Sequence, residues 1–182
     1  MNRRKLLLGL GLTSIFVGLT LKSRFVPTKN LALAALLNQT LRYPDGTVYP
    51  TKQLHGVPLL INVWAPWCSP CVEELPELSV LFNQIQNKDN IYNLNNATAI
   101  KFIAVGVDEP KNIAQFASKT LTSFPLLEAN SAPIDFIKAL GNQSGVLPFT
   151  VLFDKNGQIV GQKIGKVSAT DVLKWLKKLP TP

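Results

Sequence analysis

The sequence predicts an α/β fold: a central mixed β-sheet flanked by helices, preceded by an N-terminal hydrophobic segment. Three observations carry that expectation. Leu59 to Trp64 is an apolar run broken only by Asn62, the pattern of a central strand buried on both faces. The run leads through both of the chain's cysteines, in Trp67-Cys68-Ser69-Pro70-Cys71, into a helix-like stretch from Val72 to Gln86. Strand-like and helix-like segments then alternate to the C-terminus, as in layered sheet-and-helix domains. With 46% hydrophobic residues in 182, there is material for one such core.

Residues 1–24 read as a targeting segment. Arg3, Arg4 and Lys5 precede an uncharged run from Leu6 to Leu21, closed by Lys22 and Arg24. As a helix the run reaches about 24 Å, a little short of a ~30 Å hydrocarbon core. No A-x-A-like cleavage site follows, which favours an uncleaved signal anchor. The expected location is then a single pass through a bacterial inner membrane by residues 6–21, with the domain outside the cytoplasm. A cleaved signal and a soluble periplasmic protein are the alternative. Asn2-Arg3-Arg4-Lys5-Leu6-Leu7 also resembles a twin-arginine export signal. Either route places the cysteines on the oxidising side of the membrane.

Residues 25–40 form a linker and lead-in and residues 41–182 the globular domain; Asn30 to Leu41 is Leu/Ala-rich and periodic at neither 2 nor 3.6, an ambiguous lead-in. Tyr43 to Tyr49, with Asp45-Gly46 between β-formers, reads as a hairpin. His55-Gly56-Val57-Pro58 is a turn into the central strand. In the helix that follows, Glu73, Glu74 and Glu77 suit the positive end of the dipole and Pro76 should kink the rod. Asn87 to Ala99, with five asparagines, reads as a surface loop. Ile100 to Val107 is a second β-rich run, and Asp108-Glu109-Pro110 opens a helix to about Lys119. Phe124 to Leu127 reads as a short edge strand, and Ser131-Ala132-Pro133 opens a helix ending at Leu140-Gly141. Val146 to Thr150 leads into a strand through Phe153. Asp154-Lys155-Asn156-Gly157 turns the chain, and Gln158 to Ile164 returns as its partner. Ser168-Ala169-Thr170-Asp171 resembles a capping box, before a last helix with Val172, Trp175, Leu176 and Leu179 inward.

The chemistry is concentrated in the Cys68/Cys71 pair. A thiol at a helix N-terminus meets unpaired N–H groups and the positive end of the dipole, both of which favour its thiolate. A zinc site needs two further ligands at suitable spacing, and the chain has no third cysteine and a single histidine, His55. A purely structural disulfide closing so short a loop would constrain the unfolded chain little. Redox chemistry is therefore the expectation, with no metal. His55 reads as a turn residue. The net charge of +8 is scattered, without the basic stripe and interleaved aromatics of a nucleic-acid groove. It fits solubility and proximity to an anionic membrane.

The order of strand, Cys-x-x-Cys, kinked helix, strand, helix, proline-led hairpin and helix resembles the thioredoxin fold. Residues from about 40 to 179 are similar to the TlpA-like family of membrane-tethered extracytoplasmic thioredoxins, which includes reductases of cytochrome c maturation. The matching stretches are Asn62-Val63-Trp64-Ala65-Pro66-Trp67-Cys68-Ser69-Pro70-Cys71, Glu74-Leu75-Pro76, Val105-Gly106-Val107-Asp108 and Leu147-Pro148-Phe149-Thr150 with Asp154 and Gly157 behind it. The resemblance implies that Cys68 is the exposed nucleophile and Cys71 the buried resolving thiol. It also implies that Pro148 is a cis proline which, with Trp67 and Leu147, meets substrate. Ordinary cytoplasmic thioredoxins carry a buried Asp six residues before the first Cys; here Asn62 stands there, and asparagine cannot take a proton at neutral pH. In the TlpA-like pattern a Glu six residues after the first Cys serves near the thiols, which is Glu74; read from the residues alone, Glu74 is an exposed helix-start acid.

These residues lead to an expected extracytoplasmic thiol:disulfide oxidoreductase, acting as a reductase of protein disulfides. A helix N-terminus lowers a thiol from its ordinary value near 8.5 by at most ~1.5 units. Glu73 and Glu74 oppose that, so Cys68 is expected nearer the thioredoxin value of about 7 than the ~3.5 of strong oxidants. A disulfide oxidase or isomerase, or a non-catalytic tethered binding module, remain the alternatives. The expected partners are a disulfide-bonded protein, apocytochrome c or a cuproprotein among them, and a transmembrane electron donor. The Cys68/Cys71 disulfide itself takes the place of a cofactor.

Overall fold

The structure, a computed structural model, describes residues 31–87, 100–129 and 133–180. The expected anchor at residues 1–24, most of the asparagine-rich loop and Ser131-Ala132 lie outside them. The elements run α1 (Leu31–Leu37), β1 (Leu41–Arg42), a 3-10 turn (Thr51–Leu54), β2 (Leu59–Trp64), α2 (Ser69–Gln86), β3 (Lys101–Gly106), α3 (Pro110–Ala117), β4 (Leu126–Ala129), α4 (Pro133–Ala139), β5 (Phe149–Phe153), β6 (Ile159–Ile164) and α5 (Ala169–Leu176).

The continuous apolar run of β2 has the consequence expected of it. Every residue of the strand is buried, which requires neighbours on both edges and cover on both faces. β2 lies parallel to β3, with Leu59 opposite Lys101 and Trp64 opposite Gly106. On its other edge it is antiparallel to β5, with Asn62 opposite Thr150 and Val63 opposite Phe149. The sheet order is β1-β4-β3-β2-β5-β6, a mixed sheet with β2 inside it. α2 packs with α5, and α1 with α4. Burying side chains such as Leu59, Ile61 and Val63 stabilises the fold by about 1.5–3 kcal/mol each. A second knot of packing stacks Phe102 on Phe124 at 3.9 Å, with Phe82 edge-on to both.

Three expectations are corrected. The strand expected at Phe124–Leu127 falls at Leu126–Ala129, because Phe124 is committed to the aromatic stack. It is not an edge either: β1 pairs outside it, Leu41 opposite Ala129, leaving a two-residue edge that offers little template for further pairing. The hairpin at Tyr43–Tyr49 shrinks to a turn with one bridge, Arg42 to Val48. Gly46 there takes φ +85°, and Pro50, with no N–H to add to a ladder, stops the return strand. The Leu/Ala-rich lead-in is helical from Leu31, and Leu33 and Leu36 join the core. So short a helix draws its stability from that burial, not from its own propensity.

The C-terminal hairpin is built as its residues dictate. Asp154 Oδ1 accepts the N–H groups of Asn156 and Gln158 at 2.9 and 2.8 Å, and Gly157 takes φ +77°, a position that favours glycine. The capping box is complete: Ser168 Oγ accepts from Asp171 N–H, and Asp171 accepts from Ser168 N–H. Val172, Trp175, Leu176 and Leu179 all point inward.

Candidate active site

The chain leaves the C-terminal end of β2 at Trp64 and within four residues becomes a helix, with Cys68 as the N-cap residue of α2. Its extended backbone lets its carbonyl accept from both Cys71 and Val72 N–H at 3.0 Å. Pro70 fits the first turn because the N–H it lacks would have no intrahelical partner there. α2 thus begins at Ser69, three residues earlier than the composition implied. Cys68 and Cys71 are joined as a disulfide with their Cα atoms 5.2 Å apart. Cys68 keeps 6% of its surface in solvent and Cys71 none, while Trp67 beside them is 70% exposed. An attacking group can reach Cys68 and not Cys71.

Pro148 comes to the same end of the sheet. Val63 opposite Phe149 sets it next to the Trp64 end of β2, from which the cysteine loop departs. The Leu147–Pro148 bond is cis. Leu147 is half-buried and Pro148 buried. Pro148's carbonyl accepts from Gly165 N–H at 2.8 Å. The structure therefore brings Trp67, Cys68, Cys71, Leu147 and Pro148 to one region. His55, exposed just ahead of β2, lies at the opposite end of that strand.

The three glutamates of α2 separate by position. Glu73 is exposed and accepts from Ser69 Oγ at 3.2 Å. Glu77 is exposed and pairs with Lys166 at 2.9 Å. Glu74, one turn beyond Cys71, is fully buried. Its Oε1 accepts from Asn62 Nδ2 at 2.7 Å and its Oε2 from Val167 N–H at 2.9 Å. Burial pushes its pKa up, against the opposing pull of those two bonds and of Lys166. The exposed helix-start reading of Glu74 is not what the structure shows. A carboxyl that resists ionisation one turn from the inner thiol can hold and return a proton.

Asn62 completes the buried cluster. Its Nδ2 also donates to Thr150 Oγ1 at 3.0 Å, across the β2–β5 register. Among the described residues, Asn62 Oδ1 and Trp64 Nε1 are buried without a hydrogen-bond partner. Sequence reasoning missed Thr150 and the Gly165–Val167 loop. The loop contributes main-chain N–H groups, which every non-proline residue has, so no signal distinguishes it. Also missed was an open cleft of about 430 Å³ beside Trp67, bordered by Asp108, Asn112 and Phe116 of the β3–α3 region.

Comparison with known proteins agrees with this geometry. The chain is similar to the thiol-disulfide oxidoreductase ResA of Halalkalibacterium halodurans, 25% identical over 171 residues, 92% of this chain and 89% of that one. It is 28% identical over 138 residues to ResA of Geobacillus thermodenitrificans, covering 74% and 70% of the two chains. Among solved structures, a thioredoxin-related protein from Neisseria meningitidis serogroup B superposes with a TM-score of 0.62 at 28% identity, over 75% of this chain and 96% of the other. StoA from Bacillus subtilis shares the fold, with a TM-score of 0.54 at 18% identity over 75% and 93%. The Redoxin family model matches residues 32–176, a span that holds the disulfide, the buried acid and the cis proline together. Around a dithiol pair placed where a helix begins, that match fixes the class: the chain is a thiol-disulfide oxidoreductase of thioredoxin-like fold and belongs to the Redoxin family.

Proposed function

We propose that the protein works as a reductase of protein disulfides, anchored in the cytoplasmic membrane by residues 6–21 with its domain on the outer side, and that it serves cytochrome c maturation. The observation that carries the direction is the crowd of carboxyl groups at the start of α2. Glu73 is hydrogen-bonded to Ser69, between the two cysteines, and Glu74 is buried one turn beyond Cys71. Negative charge from Glu73, to which Glu74 adds only when it is ionised, works against a Cys68 thiolate, and Ser69 and Pro70 add no cation. A reduced form that is less stabilised gives up its electrons more readily. The similarity to ResA proteins and the TlpA-like motifs support the client, and the basic-flanked apolar run supports the location.

In the cycle, the Cys68 thiolate attacks one sulfur of a substrate disulfide, forming a mixed disulfide and releasing the substrate's first thiolate. The Cys71 S–H proton passes to the Glu74 carboxylate. Cys71 sulfur then attacks Cys68 Sγ, the bond from Cys68 to substrate breaks, and the second substrate thiolate leaves and takes up a proton. Two electrons have moved from the dithiol to the substrate, and the protein is left as the Cys68–Cys71 disulfide. Trp67, Leu147 and Pro148 flank Cys68 and seat the substrate chain. A membrane protein that passes electrons across from the cytoplasm restores the dithiol, whose own two sulfurs take the place of a cofactor.

The test is the reduction potential of the full chain, equilibrated against a dithiothreitol or glutathione series. A value at or below about −220 mV fits a reductant, whereas one near about −120 mV makes the protein an oxidant and overturns the direction.

A further inference from the structure

The loop between β6 and α5 is fastened at three successive residues. Gly165 N–H donates to Pro148 carbonyl at 2.8 Å. Lys166 Nζ donates to Glu77 Oε1 at 2.9 Å. Val167 N–H donates to Glu74 Oε2 at 2.9 Å. The bonds on either side of Lys166 fix where its stem begins, and Glu77, one turn along α2 from Glu74, fixes where its ammonium ends. The ammonium is therefore placed at Glu77, one turn of α2 from the buried acid, on a side chain that stays open to solvent.

We propose that Lys166 is a positioning residue for disulfide exchange: held by Glu77 beside the acids of α2, its ammonium favours the Glu74 carboxylate over the acid and so sets the lowest pH at which Glu74 takes the Cys71 proton. The inference rests on the reading of Glu74 as that acceptor. The groups that face Glu74 come from every element around it. Asn62 of β2 donates to it, and Val167 and Lys166 reach it from the loop. Glu73 and Glu77 share its helix, and Thr150 of β5 touches it through Asn62. Burial and the Glu77 carboxylate favour the acid form, whereas the hydrogen bonds and Lys166 favour the anion. The bond to Glu77, followed by the fields of Glu77, Glu73 and Glu74, in turn holds the Lys166 pKa above its ordinary value, so its charge persists wherever the exchange runs.

The proton balance is that of the resolving step. Cys71 gives its proton to the Glu74 carboxylate, Cys71 sulfur bonds to Cys68 Sγ, the Cys68-to-substrate bond breaks, and the departing thiolate recovers the proton. Below the pH at which Glu74 ionises, the step slows, giving an acid limb to the rate of mixed-disulfide resolution.

The test uses the full chain, pre-reduced, in a single turnover with insulin disulfides, following decay of the mixed disulfide as a function of pH. Lys166→Gln moves the acid limb to higher pH, slowing resolution about two- to fivefold on the slope, the size of a partly screened charge effect, while the alkaline plateau holds. Lys166→Arg returns the limb to its original place. Glu74→Gln abolishes the limb. If Glu74→Gln removes the limb and Lys166→Gln leaves it where it was, or lowers only the plateau as a loosened loop would, the role of Lys166 is overturned and that of Glu74 stands. If the limb survives in Glu74→Gln, the reading of Glu74 fails and the role of Lys166 falls with it.

Discussion

Val167 and Ser168 are neighbours, and each donates its N–H to a carboxylate at nearly the same distance, 2.9 Å to Glu74 and 3.0 Å to Asp171. The two acids respond in opposite ways. The Lys163 ammonium, aided by the N–H and hydroxyl of Ser168, pulls the pKa of Asp171 down to about 2. Glu74 also accepts a second bond, from Asn62, yet burial outweighs both and raises its pKa. A charged donor at an exposed site thus leaves one acid ionised in all but strong acid, while two neutral donors at a buried site leave the other ready to carry a proton. The Lys163 ammonium and water together separate them: Asp171 has a cation and keeps part of its hydration, and Glu74 has surrendered all of its water. One acid caps a helix, and the other is available to chemistry.

The largest break in that comparison is to delete each carboxylate in turn. Glu74→Ala strands Val167 N–H and one N–H of Asn62 in a buried site, at about 1–3 kcal/mol for each unsatisfied donor. Urea unfolding of the oxidised protein should lose about 2–6 kcal/mol. A loss below about 0.5 kcal/mol would mean that water takes the place of the carboxylate, and the contrast in hydration drawn here would be wrong.

What the sequence discloses follows the reach of its interactions. The Ser168/Asp171 box and the Asp154 turn each close within a few residues, so the residue types announce them. The run through Leu59–Trp64 announces its burial because burial on both faces selects every side chain in it. The cluster around Glu74 is assembled from far apart: Asn62 and Thr150 are 88 residues apart, Glu74 and Val167 are 93. One of the donors is a backbone N–H, about which side-chain identity says nothing. Glu73, Glu74 and Glu77 share residue type and the early turns of one helix, so only the family pattern singles out Glu74, and only packing buries it. β1 was illegible for a different reason, being two residues long and formed by pairing with a strand near position 129.

The pH dependence of stability sharpens the same contrast. Glu74 binds a proton more readily folded than unfolded, so its contribution is full below its ordinary value of 4.5 and is lost as pH rises through its raised folded value. Asp171 runs the other way. Its contribution is full above 3.8 and is lost as pH falls toward about 2. Thermal melts should show Glu74→Gln flattening the decline on the higher-pH side and Asp171→Asn flattening the one below pH 3.8. An unchanged upper limb in Glu74→Gln would show that the folded protein does not favour the protonated acid.

Asp171→Ala should cost less than Glu74→Ala, about 1 kcal/mol, because water can solvate the freed Ser168 N–H at this exposed helix start. Equal losses from the two substitutions would remove the distinction between capping and burial.

The smallest effect belongs to Lys163, on β6, whose Nζ lies 2.7 Å from Asp171 Oδ2 with both side chains partly exposed. A pair in such surroundings gains modest Coulomb energy, gives up side-chain freedom and is screened by salt, so it contributes about 0.2–1 kcal/mol. Lys163→Met keeps the apolar stem over the sheet edge and removes only the charge. Its stability should match that of the parent at high ionic strength and fall slightly below it at low ionic strength, where the screening length grows. The Asp171 carboxyl, followed by NMR titration, should move from about 2 back toward 3.8, since Lys163 is the first cause of its depression. If the titration stays near its parent value, the Ser168 donors hold the carboxylate by themselves. Two acids with comparable hydrogen bonds would then differ through burial alone, and Lys163 would drop out of the comparison.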